Sequence, residues 1–150
     1  MKFKINYEQI IKYGWKDYGH SRKIIFIKDI SVKVSTNHVF ILTLENKKNI
    51  IAKISDYGYF DHFLEDHKII NSLSLNLSEP FENFLAKSLT KNGSLFTYQH
   101  KHNKLNIWVV FYNPIKTDKA PNKIQTKDNI KILGKELAYF HLACRDVRST

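Results

Sequence analysis

Few residues in this chain have the type and setting to do chemistry. Lys53 lies inside Asn49-Ile50-Ile51-Ala52-Lys53-Ile54-Ser55, an apolar run interrupted by a single ammonium. Burying an ammonium without a partner costs several kcal/mol, so a lysine in a central strand calls for an acidic neighbour. Two candidates follow, Glu65 and Asp66, within a stretch from Tyr59 to Leu73 that has helical spacing. A strand lysine oriented by a helix carboxylate can hold the oxygens of a phosphate. Ser35, Thr36 and Asn37 form a polar loop ahead of the lysine strand. They could turn hydroxyls and amides toward the same anion, or simply make an ordinary polar turn. His67 falls on the apolar face of the helical stretch and reads as a hydrogen-bonded core histidine. His100 and His102 have metal-like spacing, but no third ligand accompanies them.

The elements that must position these groups can be read along the chain. Asn6 to Tyr13 forms a short helix, with Asn6 as N-cap and Gly14 as its stop. Trp15 to Arg22 reads as a loop. A strand begins at Ile24 and runs toward Ile30 and Val32, and Val39 to Leu44 is the next. Asn49 to Ser55 then pairs with it as a hairpin across the polar cluster Glu45 to Asn49. In the helix after Gly58, steps of about 100° put Phe60, Phe63, Leu64, His67 and Ile70 on one face. Asp66 lies at the border of that face and Glu65 further round. Geometry therefore favours Asp66 as the partner of Lys53, while side-chain length favours Glu65. Phe84 to Thr90, Leu95 to Tyr98 and Leu105 to Tyr112 read as further strands, with turns at Lys91 to Ser94 and His100 to Asn103. After Pro114 a lysine-rich tether leads to a helix capped by Thr126 or Asp128. Ile130, Leu133, Leu137, Phe140, His141 and Cys144 share one of its faces.

Composition bounds the function classes. The chain has 150 residues and 17.7 kDa, with 43% hydrophobic and 13% aromatic residues, enough for one domain with a real core. No apolar run approaches the ~20 residues of a membrane span. The N-terminus lacks the pattern of a signal peptide. A single cysteine, Cys144, leaves no internal disulfide and suits a reducing cytoplasm. The net charge is +10, yet only Arg22, Arg145 and Arg148 are arginines, the residue best fitted to bidentate phosphate and base contacts. The scattered lysines argue for solubility and against specific nucleic-acid recognition.

The order strand, loop, strand, lysine strand, helix, strands, Pro-marked exit, helix resembles the N-terminal lobe of the aminoglycoside phosphotransferase and choline kinase family. Asn37-His38-Val39-Phe40 looks like the segment after that family's nucleotide loop. Ile51-Ala52-Lys53 is similar to its phosphate-binding strand, and Phe63 to Leu73 to its carboxylate helix. Leu89 to Gly93 followed by Trp108 to Tyr112 looks like its later strands and hinge. The most specific match is Leu133-Gly134-Lys135-Glu136-Leu137-Ala138-Tyr139-Phe140-His141. The resemblance implies an α+β fold: a twisted antiparallel sheet of about five strands with one packed helix. It places a helical extension over residues 1–23, the lobe over 24–115, and a linker with the first helix of a second lobe over 116–150. It further implies ATP with Mg²⁺, with Lys53 on the phosphates and Asp66 or Glu65 orienting it. Ser35, Thr36 and Asn37 would lie above the phosphates. Val110, Phe111 and Tyr112 would line the adenine pocket, the backbone of the hinge making the hydrogen bonds.

The chain departs from the family at the chemical step. It contains no His-Gly-Asp and no Asp-Phe-Gly, so neither a base nor a metal-binding carboxylate pair is visible. These residues alone are therefore expected to be inactive as a kinase. A small hydroxylated substrate would bind through a lobe outside this sequence. Two other readings compete. One is a non-catalytic binding or regulatory module whose exposed apolar surface serves a partner or a second copy. The other is a basic nucleic-acid-binding domain with Tyr98, Trp108 and Phe111 stacking on bases.

Overall fold

The computed structural model describes residues 5–116 and 126–148. The fold is α+β, and its centre is set by one run, Ile107-Trp108-Val109-Val110-Phe111-Tyr112, in which every residue is buried. Strands that bury one face alternate; a strand buried on both faces reads as a continuous apolar run. In chain order the elements are helix α1 (Tyr7–Tyr18), strands β1 (Ile24–Asp29), β2 (Asn37–Leu44) and β3 (Asn49–Ser55), and helix α2 (Phe60–Asn76). Strands β4 (Thr90–Lys91), β5 (Ser94–Leu95), β6 (Thr97–His102) and β7 (Leu105–Tyr112) follow, then helix α3 (Lys127–Arg148). Five strands form one sheet in the order β1-β2-β3-β7-β6, and β4 and β5 form a small separate hairpin. Every pairing in the large sheet is antiparallel.

Each face of the sheet has its own cover. On one side α1 sets Ile10, Ile11 and Trp15 against Phe40, Leu42, Ile50, Ala52, Ile54, Val109 and Phe111. On the other, Phe63 of α2 meets Trp108, Val110 and Tyr112, with Ile51, Phe60 and Ala86 packed around them. The period-2 alternation of β3 thus sends Ile50, Ala52 and Ile54 toward α1 and leaves Ile51, Lys53 and Ser55 on the α2 side. Trp108 and Phe111 are about 1% and 0% exposed. The ring platform of the nucleic-acid reading is therefore inside the protein, with only Tyr98 partly open.

Several boundaries differ from the sequence expectation. Asn6 caps α1 as expected, its side chain accepting from the Gln9 amide at 3.1 Å. Gly14, however, does not stop the helix, which continues through Trp15 to Tyr18 and ends at Gly19 with φ of 80°. Gly14 serves close packing instead: a Cβ there would stand 3.1 Å from three atoms of Tyr98. The segment read as a loop from Trp15 onward thus holds a core residue. Phe84 to Thr90 is mostly turn and irregular chain rather than strand. Its pairing is confined to a bridge from Ser88 to Tyr112 and the short β4. The reason is competition for an edge, since β6 occupies that side of β7 as far as the Thr97–Val110 pair. Leu95 and Thr97 belong to different strands, and His100 and His102 lie within β6 rather than in a turn. The reversal falls at Asn103, which takes φ of 53°. β1 ends at Asp29, short of Val32.

α3 begins at the Thr126 cap, whose Oγ1 accepts from the Asn129 amide at 3.2 Å. Its hold on the body runs through Phe140, packed 4.4 Å from Phe84 and 5.6 Å from Phe81 between ring centroids. Ile130, Leu133 and Leu137 remain exposed. Among the described residues, no helix is long and apolar enough to cross a membrane.

This arrangement makes α1 part of the core. Trp15→Ala is expected to cost about 3–5 kcal/mol in urea unfolding, with helix and sheet signals moving together. A cost under about 1 kcal/mol, or an early separate loss of helix signal, would show that α1 is a detachable extension.

Candidate functional site

Lys53 stands between Val39 of β2 and Val110 of β7, in the middle strand of the five. Its side chain is on the α2 face, where it is only partly buried. There it lines a cavity of about 460 Å³ together with Thr36, Asn37, Ser55, Tyr57, Tyr59, Asp66 and His67. Burial lowers the pKa of the amine below the ordinary lysine value, and the Asp66 charge works against that shift. Among the described residues, the direct ion pair expected for Lys53 does not form. Asp66 acts across the cavity, and Glu65 does not line it. The ammonium tolerates this because the cavity leaves one side open, so it never bears the full cost of enclosure.

The helix residue beside Asp66 contributes more than the sequence suggested. His67 is about 1% exposed, and its Nδ1 lies 3.1 Å from the Tyr112 hydroxyl. Phe63 meets the imidazole edge-on at 4.2 Å between centroids. The expected core histidine is thus present, yet it also borders the Lys53 cavity. Its pKa is lowered to about 4, chiefly by burial and then by the Lys53 charge. The ring is therefore neutral at neutral pH. Burial likewise pushes the Tyr112 hydroxyl up to about 12.

The polar loop is divided. Thr36 and Asn37 reach the cavity, whereas Ser35 does not line it and accepts from the Asn37 amide at 3.1 Å. A second cavity, of about 420 Å³, adjoins the first through shared walls at Lys53 and Ile70. Its other walls are Ile51, Ala86, Tyr112, Pro114 and Ile115, which are mainly apolar. Of the three residues expected to line an adenine pocket, Tyr112 does so. Val110 is fully buried behind Lys53 on the same face. Phe111 points to the opposite face, where its ring packs against Trp15 and Phe96. Part of the hinge backbone is already engaged: the Phe111 carbonyl accepts from the Leu89 amide at 2.8 Å, and the Asn113 amide donates to Lys87 at 2.9 Å.

The structure therefore gathers Lys53, Asp66, Thr36, Asn37 and Tyr112 around two joined cavities. It leaves Glu65, Ser35 and the Phe111 side chain outside. Ile70, Ala86 and Ile115 were not anticipated as walls. Helical spacing already put Ile70 on the face of Phe63 and His67, the one signal that could have found it. Elsewhere, His100 and His102 border an apolar cavity of about 590 Å³ between the start of α1 and the β6–β7 turn. Among the described residues, no group of three or more His, Cys, Asp or Glu comes together to hold a metal ion.

No family model, curated protein or solved structure matches the chain.

The neutral burial of His67 fixes a sign for pH dependence. Its folded pKa of about 4 lies below the ordinary 6.5, so the unfolded chain binds the proton more readily between those values. Stability should fall as pH drops from 6.5 toward 4, and the loss tied to this ring should be roughly 3 kcal/mol. Urea melts of wild type and His67→Gln across that window should converge as pH falls. Parallel profiles would mean that the imidazole is not held neutral.

Proposed function

We propose that this chain is a nucleotide-binding lobe of the kind found in ATP-dependent small-molecule phosphotransferases of the aminoglycoside and choline kinase family. The observation that carries the reading is the placement of Lys53. It is an ammonium on the third strand, without a contact ion pair among the described residues and turned toward a polar cavity that continues into an apolar slot. In protein kinases the phosphate-holding lysine likewise lies on the third strand and is oriented by a helix carboxylate. Two joined compartments of opposite polarity suit a ligand with an anionic tail and a flat, largely apolar base.

In this reading the phosphates lie against Lys53 under Thr36 and Asn37. The base enters the slot between Ile51, Ile70, Ala86, Tyr112 and Ile115. Asp66 aligns the ammonium from a distance, leaving it free to meet an anion. Mg²⁺ would arrive with the nucleotide and neutralise part of its charge. The chain has no His-Gly-Asp, so the proposal covers nucleotide binding and assigns no catalytic residue. A small hydroxylated acceptor would meet the nucleotide through residues outside this sequence.

A second reading, a non-catalytic binding module, draws on α3. Exposed Ile130, Ile132, Leu133 and Leu137 give this helix apolar surface on more than one side, as on a helix that docks against a partner or a second copy.

Mg-ATP at a hundredfold excess over its Kd should stabilise the protein by about 2.7 kcal/mol, read as a rise in Tm. Lys53→Met should abolish that rise without lowering the Tm of the free protein, because an apolar chain replaces a partly buried ammonium. No rise at millimolar nucleotide, or an equal rise in Lys53→Met, would overturn the nucleotide reading.

A further inference from the structure

Resting on the nucleotide reading, one atom in the site lacks an explanation within the protein. His67 Nε2 is buried, and no hydrogen-bond partner for it is found among the described residues. Buried polar atoms without partners are few in folded proteins, and each calls for an explanation. Of those found here, His67 Nε2 is the one on a residue lining the Lys53 cavity. The ring is fixed from its other side by the Tyr112 hydroxyl and by Phe63. It borders the cavity that also holds Lys53 and Asp66. Lys53, a donor in the same cavity, does not hydrogen-bond it.

We infer that His67 is a second anion-binding group: its Nε2–H donates to an oxygen of the phosphate held by Lys53, and Tyr112 fixes the tautomer that allows it. The two ring nitrogens are linked in role, since the bond made by one decides which proton the other carries. In this assignment the Tyr112 phenol, which stays protonated, is the donor to Nδ1, 3.1 Å away, and Nε2 carries the hydrogen. The opposite tautomer would leave Nε2 an acceptor with nothing to offer an anion. The tautomer follows from this donation and not from a charge on the ring. A neutral donor serves this place better than another cation. It strengthens the grip on an anion without adding positive charge next to Lys53, and it costs less to bury than an imidazolium. His67 is thereby a binding residue and Tyr112 a positioning residue that acts through it.

The test compares three variants with two probes, Mg-ATP and adenosine. Glutamine places a donor near the Nε2 position, asparagine near Nδ1, and leucine removes both. His67→Leu and His67→Asn should each weaken Mg-ATP about tenfold or more, the scale of a lost hydrogen bond to a charged group. His67→Gln should stay within about threefold of wild type. Adenosine should bind all three alike. Nitrogen NMR of labelled histidine should show Nε2 protonated in the free protein, with its signal moving when Mg-ATP is added and not with adenosine. Tyr112→Phe should mix the tautomers.

Mg-ATP affinity unchanged in His67→Leu and His67→Asn, while Lys53→Met abolishes it, would overturn this inference and leave the nucleotide site standing. Equal losses for adenosine and Mg-ATP would also overturn it, by showing a purely structural role. If wild type binds neither probe, the inference falls together with the reading it rests on. Should the leucine variant fail to fold, the contrast between glutamine and asparagine decides the outcome.

Discussion

The double burial of β7 is the constraint on which the rest depends. One strand cannot be apolar on both faces unless something covers each of them. α1 supplies one cover through Trp15 and Ile11, and α2 supplies the other through Phe63. The sheet thus becomes the middle layer of three, although it has only five strands. β3, the neighbour of β7, inherits the same division. Its even-numbered apolar residues are committed to the α1 side, which leaves Lys53 no choice but the α2 side. The candidate site is a consequence of that parity.

The electrostatics of the site follow from incomplete cover. At the cavity wall formed by Phe63 and His67 the side chains are themselves buried, and the imidazole is held neutral. A few residues away α2 leaves a cavity, and the ammonium of Lys53 meets space rather than a carboxylate. Had Asp66 closed on it, the charges would cancel and an incoming anion would have to displace the carboxylate. At a distance, Asp66 moderates the desolvation of the amine without occupying it. The three groups thus form a graded set of one cation, one neutral imidazole and one remote anion.

α3 is built differently from the other helices. Its apolar residues recur at helical spacing, and Phe140 packs on the Phe81 and Phe84 rings. Around Ile130 to Leu137 the stripe has no cover among the described residues. Exposed Ile130, Ile132, Leu133 and Leu137 thus lie ahead of the Phe140 cluster in the chain.

Local pattern by itself determined a good deal of this protein. The Asn6 cap, the hairpin around Lys47, the extent of β7 from Leu105 to Tyr112 and a cap at Thr126 or Asp128 all rest on residues close in sequence. Alternation also determined that Lys53 would share a face with Ile51 and not with Ala52. What only the tertiary structure decided was every outcome set by distant chain. Gly14 lies mid-helix because Tyr98 packs on it, a contact across 84 positions that no helix rule contains. Phe84 to Thr90 fails as a strand because β6 already holds the edge. Phe111 is turned away from the site because the register with β3 pairs it with Ala52. His67 and Tyr112 meet although 45 residues separate them. Propensity and period act within a few residues, whereas edges, faces and cavities are shared property of segments that meet only after folding.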